Sequence, residues 1–329
     1  MSAPQVFRDE RPLVLEGGGV VPTLEIAYHT YGRPTPAYDN VVWVCHALTG
    51  SSDAAAWWDG LIGPGKVIDT DRSYVVCANM LGSCYGSTEV TISTAPLITI
   101  RDQVRAFIRL REHLQIPRIR VLIGGSMGGQ HVLEWALTEP SIIDRIIPIA
   151  TNARHSPWGV AFNAAQRLAI EADPTFHSGG PAAGAAGLAA ARAMGMISYR
   201  TPVLYNVKQR VEDDRLESFP ADTYQRYQGR KLVDRFRAPA YYALTRAMDS
   251  HDIGRGRGSA GAALRSISAR TLAIGIDTDM LFPEAEQHFI ADMVPRARYR
   301  RLSSAAGHDA FLIDQRKLAT IIHSENIIP

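Results

Sequence analysis

Val121-Leu-Ile-Gly-Gly-Ser-Met-Gly-Gly-Gln130 decides how the rest of the chain is read. Val121 to Ile123 is a short apolar run of the kind a buried strand shows. It leads into Gly124-Gly125-Ser126-Met127-Gly128, a G-x-S-x-G pattern, and Gln130 to Leu137 then reads as a helix. Strand, glycine-bracketed turn and helix in this order are the setting of a nucleophile elbow, where a strained turn exposes the serine hydroxyl. Glycines belong beside such a serine because a Cβ there would meet the neighbouring strand and helix. The helix N-terminus behind Ser126 favours negative charge near its oxygen. The pattern alone is common, so the reading depends on what the rest of the chain supplies.

On either side, strands and helices alternate. Val41–Cys45 is a continuous apolar run, as a strand buried on both faces requires, Tyr74–Ala78 and Ile142–Ala150 read as further apolar strands, and Arg101–His113 repeats its apolar residues at helical spacing. That alternation predicts an α/β fold with a mostly parallel sheet covered by helices on both faces. Pro12 to Thr30 reads as antiparallel strands, Leu13–Glu16 and Leu24–Tyr28, joined through Gly17-Gly18-Gly19. From about Arg154 to Ser266 the periodicity turns helical, with Pro202–Val207 as the one strand-like run. Strands return at Thr271–Ile276 and Tyr299–Leu302, followed by a closing helix, Leu312–Ile322. The expected organisation is a core of residues 1–153 and 267–329 and an α-helical lid insertion, 154–266, over the sheet's C-terminal edge.

An acidic loop, Asp277-Thr-Asp279, and then a histidine loop, Ala306-Gly-His308, follow the serine, each just beyond a strand. Ser, Asp, His is the chain order of the α/β-hydrolase triad. Serine is unreactive at its own pKa and needs a base in hydrogen-bond reach; a histidine titrating near neutrality, here His308, takes and returns the proton. A carboxylate fixes its tautomer and stabilises the imidazolium. Asp277 and Asp279 compete for that role. Asp279 is favoured because it lies past the strand end, four residues before Pro283. Backbone N–H groups of Leu48 and Met127 are the expected oxyanion donors. His46 is the other tempting base, but it precedes the serine and a structural place in its loop is favoured. Asp309 is positioned to cap the final helix. Arg255 and Arg257, in a glycine-broken stretch, are weak candidates for phosphate contacts against a solvated turn.

Composition narrows the function classes. The 329 residues are 46% apolar and 21% charged with a net charge of +2, so nothing global points to nucleic acid or an anionic membrane. No apolar run approaches a membrane span, and the first ten residues lack the apolar stretch of a secretory signal. Three cysteines, Cys45, Cys77 and Cys84, lack metal-ligand spacing; Cys45 and Cys77 lie in apolar runs and are expected to be buried thiols, which fits no metal and a cytoplasmic location.

Several further stretches carry a resemblance: His46-Ala-Leu-Thr-Gly-Ser-Ser52, Trp57-Trp-Asp-Gly60, Asn79-x-Leu-Gly-x-Cys-Tyr-Gly-Ser-Thr88, Ile100-Arg-Asp-Gln-Val104, His251-Asp-x-Gly-Arg-Gly256 and Gly307-His-Asp-x-Phe-Leu312. With the elbow they span nearly the whole chain, in order, and the sequence resembles the homoserine O-acetyltransferase family, α/β-hydrolase-fold enzymes of methionine biosynthesis. The resemblance implies that Ser126, Asp279 and His308 form the triad, that Arg192 grips the substrate carboxylate and that Asp309 contacts the amino-acid substrate. It further implies ping-pong transfer from acetyl-CoA to L-homoserine, no permanently bound cofactor, and a homodimer through the lid helices. Succinyl-CoA as donor, serine as acceptor, or an esterase using water are the alternatives the same residues allow. The sequence departs from the family at Glu89-Val-Thr-Ile-Ser-Thr-Ala-Pro96, a shorter loop carrying an acid, which bears on donor choice.

Overall fold

Alternate side chains of a strand face opposite ways, and here both faces are apolar. Trp43 joins one buried cluster while Val42 and Val44 join another; Leu122 takes the first side, Val121 and Ile123 the second. Such strands need cover on both faces. The computed structural model, which describes residues 3–89 and 96–328, provides it around an eight-stranded sheet. The strands are β1 (Gln5–Asp9), β2 (Leu24–Tyr31), β3 (Val41–Cys45), β4 (Tyr74–Ala78), β5 (Val121–Gly125), β6 (Arg145–Ile149), β7 (Arg270–Ile276) and β8 (Ala297–Leu302). Their spatial order is β1-β2-β4-β3-β5-β6-β7-β8. β2 pairs antiparallel with both β1 and β4, and the other neighbours are parallel. The chain steps outward from β3 to β4 and then returns across β3 to β5. That reversal makes a switch point outside the carboxyl ends of β3 and β5, where open α/β sheets bind ligands.

The helices of the core are α1 (Ile100–His113) and α2 (Met127–Thr138); between β6 and β7 lie α3 (Pro157–Glu171), α4 (Ala185–Tyr199), α5 (Pro202–Lys208), α6 (Pro220–Val233) and α7 (Ala238–Asp249). After β7 come α8 (Glu284–Met293) and α9 (Gln315–Ser324). α1 begins with a reciprocal cap: Thr99 Oγ1 accepts from Asp102 N (3.2 Å) and Asp102 Oδ2 from Thr99 N (3.0 Å). Under α2, the Trp43 and Trp135 rings meet edge to face at 4.9 Å. On the opposite face Trp58 Nε1 donates to the Phe311 carbonyl (3.0 Å). Each such fully buried side chain contributes ~1.5–3 kcal/mol.

Four expectations change. Pro202–Val207 is helix α5: Thr201 Oγ1 caps Leu204 N (3.1 Å) and Pro202 occupies the first turn, where its missing N–H costs nothing. Leu13-Val14 pairs with Val20-Val21 across the glycine turn, leaving β2 to pair with the unforeseen β1. β6 is shorter than Ile142–Ala150, starting at Arg145. The closing helix is broken at Asp314, between a short helical turn Ala310–Ile313 and α9.

Candidate active site

β5 ends at Gly125 and α2 begins at Met127, so Ser126 alone makes the turn, at φ 58° and ψ −124°. This is a strained backbone for a residue with a Cβ. The turn closes because its neighbours have no side chain. A Cβ on Gly124 would lie 2.5 Å from the Gly128 carbonyl oxygen, and one on Gly128 would lie 2.1 Å from that of Cys45. Ser126 N–H donates to Ile149 O (2.9 Å) and Thr151 Oγ1 to Ser126 O (2.8 Å), tying the turn to β6.

The structure brings His308 Nε2 to 2.9 Å from Ser126 Oγ, and His308 Nδ1 to 2.6 Å from Asp279 Oδ2. The other oxygen of Asp279, Oδ1, accepts from the backbone N–H groups of Leu281 (2.8 Å) and Phe282 (2.9 Å). Asp277 points elsewhere: Ser303 Oγ (2.7 Å) and Ser304 N (3.0 Å) donate to its carboxylate, holding the loop after β8. All three members of the chain are buried, and Phe282 stacks on the His308 ring at 5.0 Å while Phe311 meets its edge. Burial alone would push the His308 imidazole down; the charge and hydrogen bond of Asp279 outweigh it, helped by Asp309 and Glu286, and the net shift is upward. The N–H groups of Leu48 and Met127 have no hydrogen-bond partner among the described residues. His46 is turned into its loop, with Nδ1 at 2.8 Å from Ala47 O and Nε2 accepting from Met80 N; burial holds it down at about 4, so it is neutral.

Ser126 and His308 open into a cavity of about 820 Å³. Leu48, Arg192, Tyr199 and Asp309 line the same cavity. The Arg192 guanidinium lies 5.4 Å from the Tyr199 ring centroid and has no carboxylate partner among the described residues. Asp309 makes no side-chain cap, against expectation; its Oδ2 pairs instead with Arg200 Nη2 (3.1 Å). Sequence reading missed Arg200, which follows α4 and lies 109 positions from its partner. It also missed Arg235, whose Nη1 donates to Thr49 O (2.6 Å) and Tyr85 Oη (2.8 Å), tying the segment after α6 to the loop that carries Leu48. The weak phosphate candidates are already occupied: Arg255 pairs with Glu16 (2.8 Å) and Arg257 with Glu134 (2.6 Å), and Arg101 bridges the two acids. Of the shortened loop, Glu89 pairs with Arg237 (2.9 Å), and residues 90–95 lie outside the described residues. Among the described residues no group of three or more His, Cys, Asp or Glu is placed to hold a metal ion, and no helix is long and apolar enough to cross a membrane.

A family model of the alpha/beta hydrolase fold matches residues 40–315. A homoserine O-acetyltransferase from Cyclobacterium marinum is 44% identical over 330 residues, covering 97% of this chain and 94% of the relative. The chain belongs to the homoserine O-acetyltransferase family. The solved homoserine O-acetyltransferase of Staphylococcus aureus, 27% identical, superposes with a TM-score of 0.84 over 98% of this chain and 95% of that one. Esterase E22, 24% identical, superposes at 0.90 over 99% of both chains, a likeness of fold alone. The family thus shares its architecture with ester hydrolases, and what separates an acetyltransferase from them is sought in the cavity.

Proposed function

We propose that the chain transfers an acetyl group from acetyl-CoA to the hydroxyl of L-homoserine, a step of methionine biosynthesis, with Ser126 as nucleophile. His308 Nε2 takes the Ser126 proton as Oγ attacks the thioester carbon. The backbone N–H groups of Leu48 and Met127 hold the oxyanion, each such donor being worth ~3–4 kcal/mol. Collapse breaks the C–S bond; the imidazolium, stabilised by Asp279, returns its proton to the leaving thiol. Homoserine then enters. Its hydroxyl gives a proton to Nε2 and attacks the acyl-serine ester, and Ser126 leaves with that proton. Arg192 receives the substrate carboxylate through its planar fork. Asp309, held by Arg200, receives the ammonium.

The observation that carries this reading is that Ser126 and His308, backed by Asp279, and two side chains of opposite charge, Arg192 and Asp309, line one cavity. An esterase needs the first and has no use for the second. A homodimer through the helices between β6 and β7 belongs to the same proposal, supported by the exposed Ile197, Val203 and Val207 there. A cytoplasmic location is supported by the three free cysteines, two of them buried.

The test is release of CoA thiol from acetyl-CoA and from succinyl-CoA, with and without L-homoserine, with a mass spectrum of the product. Homoserine-dependent release with O-acetylhomoserine formed is expected. Release that ignores homoserine makes the chain a hydrolase.

A further inference from the structure

A second cleft, of about 560 Å³, opens beside the catalytic cavity between α5, α6 and the start of α9. Its volume lies in the range of small-molecule sites. Tyr205 and Tyr224 line one side, their rings 5.9 Å apart and edge to face. Arg200, Lys208 and Lys317 also line it. The one acid in the lining, Asp314, accepts from Ser304 Oγ and lies 3.9 Å from Lys317 Nζ, so the three cations outnumber it. Among the described residues, two buried polar atoms of this lining have no hydrogen-bond partner: Arg200 Nε and Tyr205 Oη. Buried donors are almost always paired, so two in one cleft call for an acceptor from outside the chain. Cationic side chains, unpaired donors and aromatic faces together fit a ligand that carries phosphate and a planar ring.

The cleft adjoins the catalytic cavity at two places. Arg200, which lines the cleft, pairs with Asp309, which lines the cavity. Leu312 lines the cavity and the next residue, Ile313, lines the cleft. We infer that this cleft seats the nucleotide end of the acyl-CoA donor. The inference rests on the donor assignment above. The thioester lies at Ser126, the flexible arm crosses Leu312 and Ile313, and the adenosine and its phosphates sit between the tyrosines and the lysines. Arg255 and Arg257, the arginines a sequence reader would choose, are held by Glu16 and Glu134 instead.

The experiment titrates adenosine 3′,5′-bisphosphate, which has the nucleotide but no thioester, calorimetrically into wild type and Lys208→Ala/Lys317→Ala. Both lysines are exposed; Lys317 Nζ donates to the Ser303 carbonyl (3.0 Å) and forms a loose ion pair with Asp314 (3.9 Å), and Lys208 has no ion pair among the described residues, so the fold should survive. Each exposed ion pair is worth a factor of roughly one and a half to five, so binding should weaken about tenfold in the double variant. The ratio of kcat/KM for acetyl-CoA over S-acetylpantetheine, a donor without the nucleotide, should fall by the same factor. Tyr205→Phe, which removes only the unpaired hydroxyl, should also weaken the bisphosphate. Equal affinity in wild type and double variant, or an unchanged donor ratio, overturns the assignment. So does inorganic phosphate that binds in the cleft without competing with acetyl-CoA. If wild type forms no O-acetylhomoserine yet binds the bisphosphate through these lysines, the acceptor reading fails and the cleft assignment stands.

Discussion

Replacing Asp279 by asparagine should nearly abolish turnover, for a reason the hydrogen bonds fix in advance. Asp279 Oδ1 accepts two backbone N–H groups, from Leu281 and Phe282. An asparagine can satisfy both only by putting its carbonyl oxygen there, which leaves its NH₂ facing His308. A donor opposite Nδ1 forces the imidazole proton onto Nε2. That nitrogen then presents a hydrogen to Ser126 Oγ and cannot take its proton. Amide-for-carboxylate replacement with this outcome costs about ten-thousandfold in kcat, or about 5 kcal/mol of transition-state stabilisation. The assay is homoserine-dependent release of CoA thiol, with a thermal melt to show that the variant is folded. Asp277→Asn is the control. Asp277 is exposed and its oxygens serve only Ser303 and Ser304, so its loss should cost less than tenfold. If Asp279→Asn keeps a tenth of the activity, or Asp277→Asn is the damaging one, the tautomer argument is refuted.

The base should also set the pH profile. With the His308 pKa raised, the folded state favours the imidazolium; that contribution to stability is whole below the unfolded value of about 6.5 and is lost as pH rises through the folded one. Activity appears over the same interval, so the acidic limb of kcat/KM should lie above about 6.5, and a limb at or below that value means Asp279 does not dominate. Glu286 behaves oppositely. Burial pushes its carboxyl up to about 7, so between about 4.3 and that value the folded state holds a proton the unfolded chain has released, and stability falls as pH rises. Glu286→Gln should therefore gain in Tm over wild type as melts move from about pH 5 to pH 8; a pH-independent difference would count against it. In the turn, a Gly128→Ala Cβ would lie 2.1 Å from the Cys45 carbonyl oxygen, a backbone atom that no rotamer change can move. Overpacking of this kind costs ~1–3 kcal/mol or more, and a variant that melts with wild type would show that the contact relaxes freely.

The centre of the sheet was legible because strands covered on both faces have unbroken apolar runs. Val41–Cys45 and Tyr74–Ala78 have the same limits in the sequence reading and in the structure. The edges carry no such run. β1 is Gln-Val-Phe-Arg-Asp, with Phe7 and Asp9 buried and the rest exposed, and one apolar side chain facing inward is too weak a period to read. Pro202–Val207 misled for a related reason. A β-branched and aromatic run suggests a strand, but the choice is made by two residues at its start, the capping Thr201 and Pro202, and almost nothing in α5 is buried deeply enough to overrule them.

The site divides along the same line. A turn is written in neighbouring residues, so Gly124 to Gly128 announce it; the order Ser126, Asp279, His308 is visible because each follows a strand. Charge pairing between distant segments leaves no such trace. Arg200 reads as an ordinary cation after a helix, and only the folded chain puts its Nη2 at 3.1 Å from Asp309. That contact gives Asp309 two claimants, the arginine and, in the proposed reaction, a substrate ammonium, and it decides how the pair should respond to mutation. With Arg200 in place, one carboxylate oxygen is engaged and the other is left for the substrate. Arg200→Ala would leave Asp309 facing the cavity without its cation, a part-buried charge that the substrate alone would then pair. Removing one partner of a part-buried ion pair costs more than the pair contributes, so Arg200 serves to keep the empty site tolerable as well as to orient Asp309. A lysine there would keep the charge but lose the rigid guanidinium plane that fixes the direction of this one contact. The proposed acceptor site is thus built from a residue the motif contains and one that no motif marks.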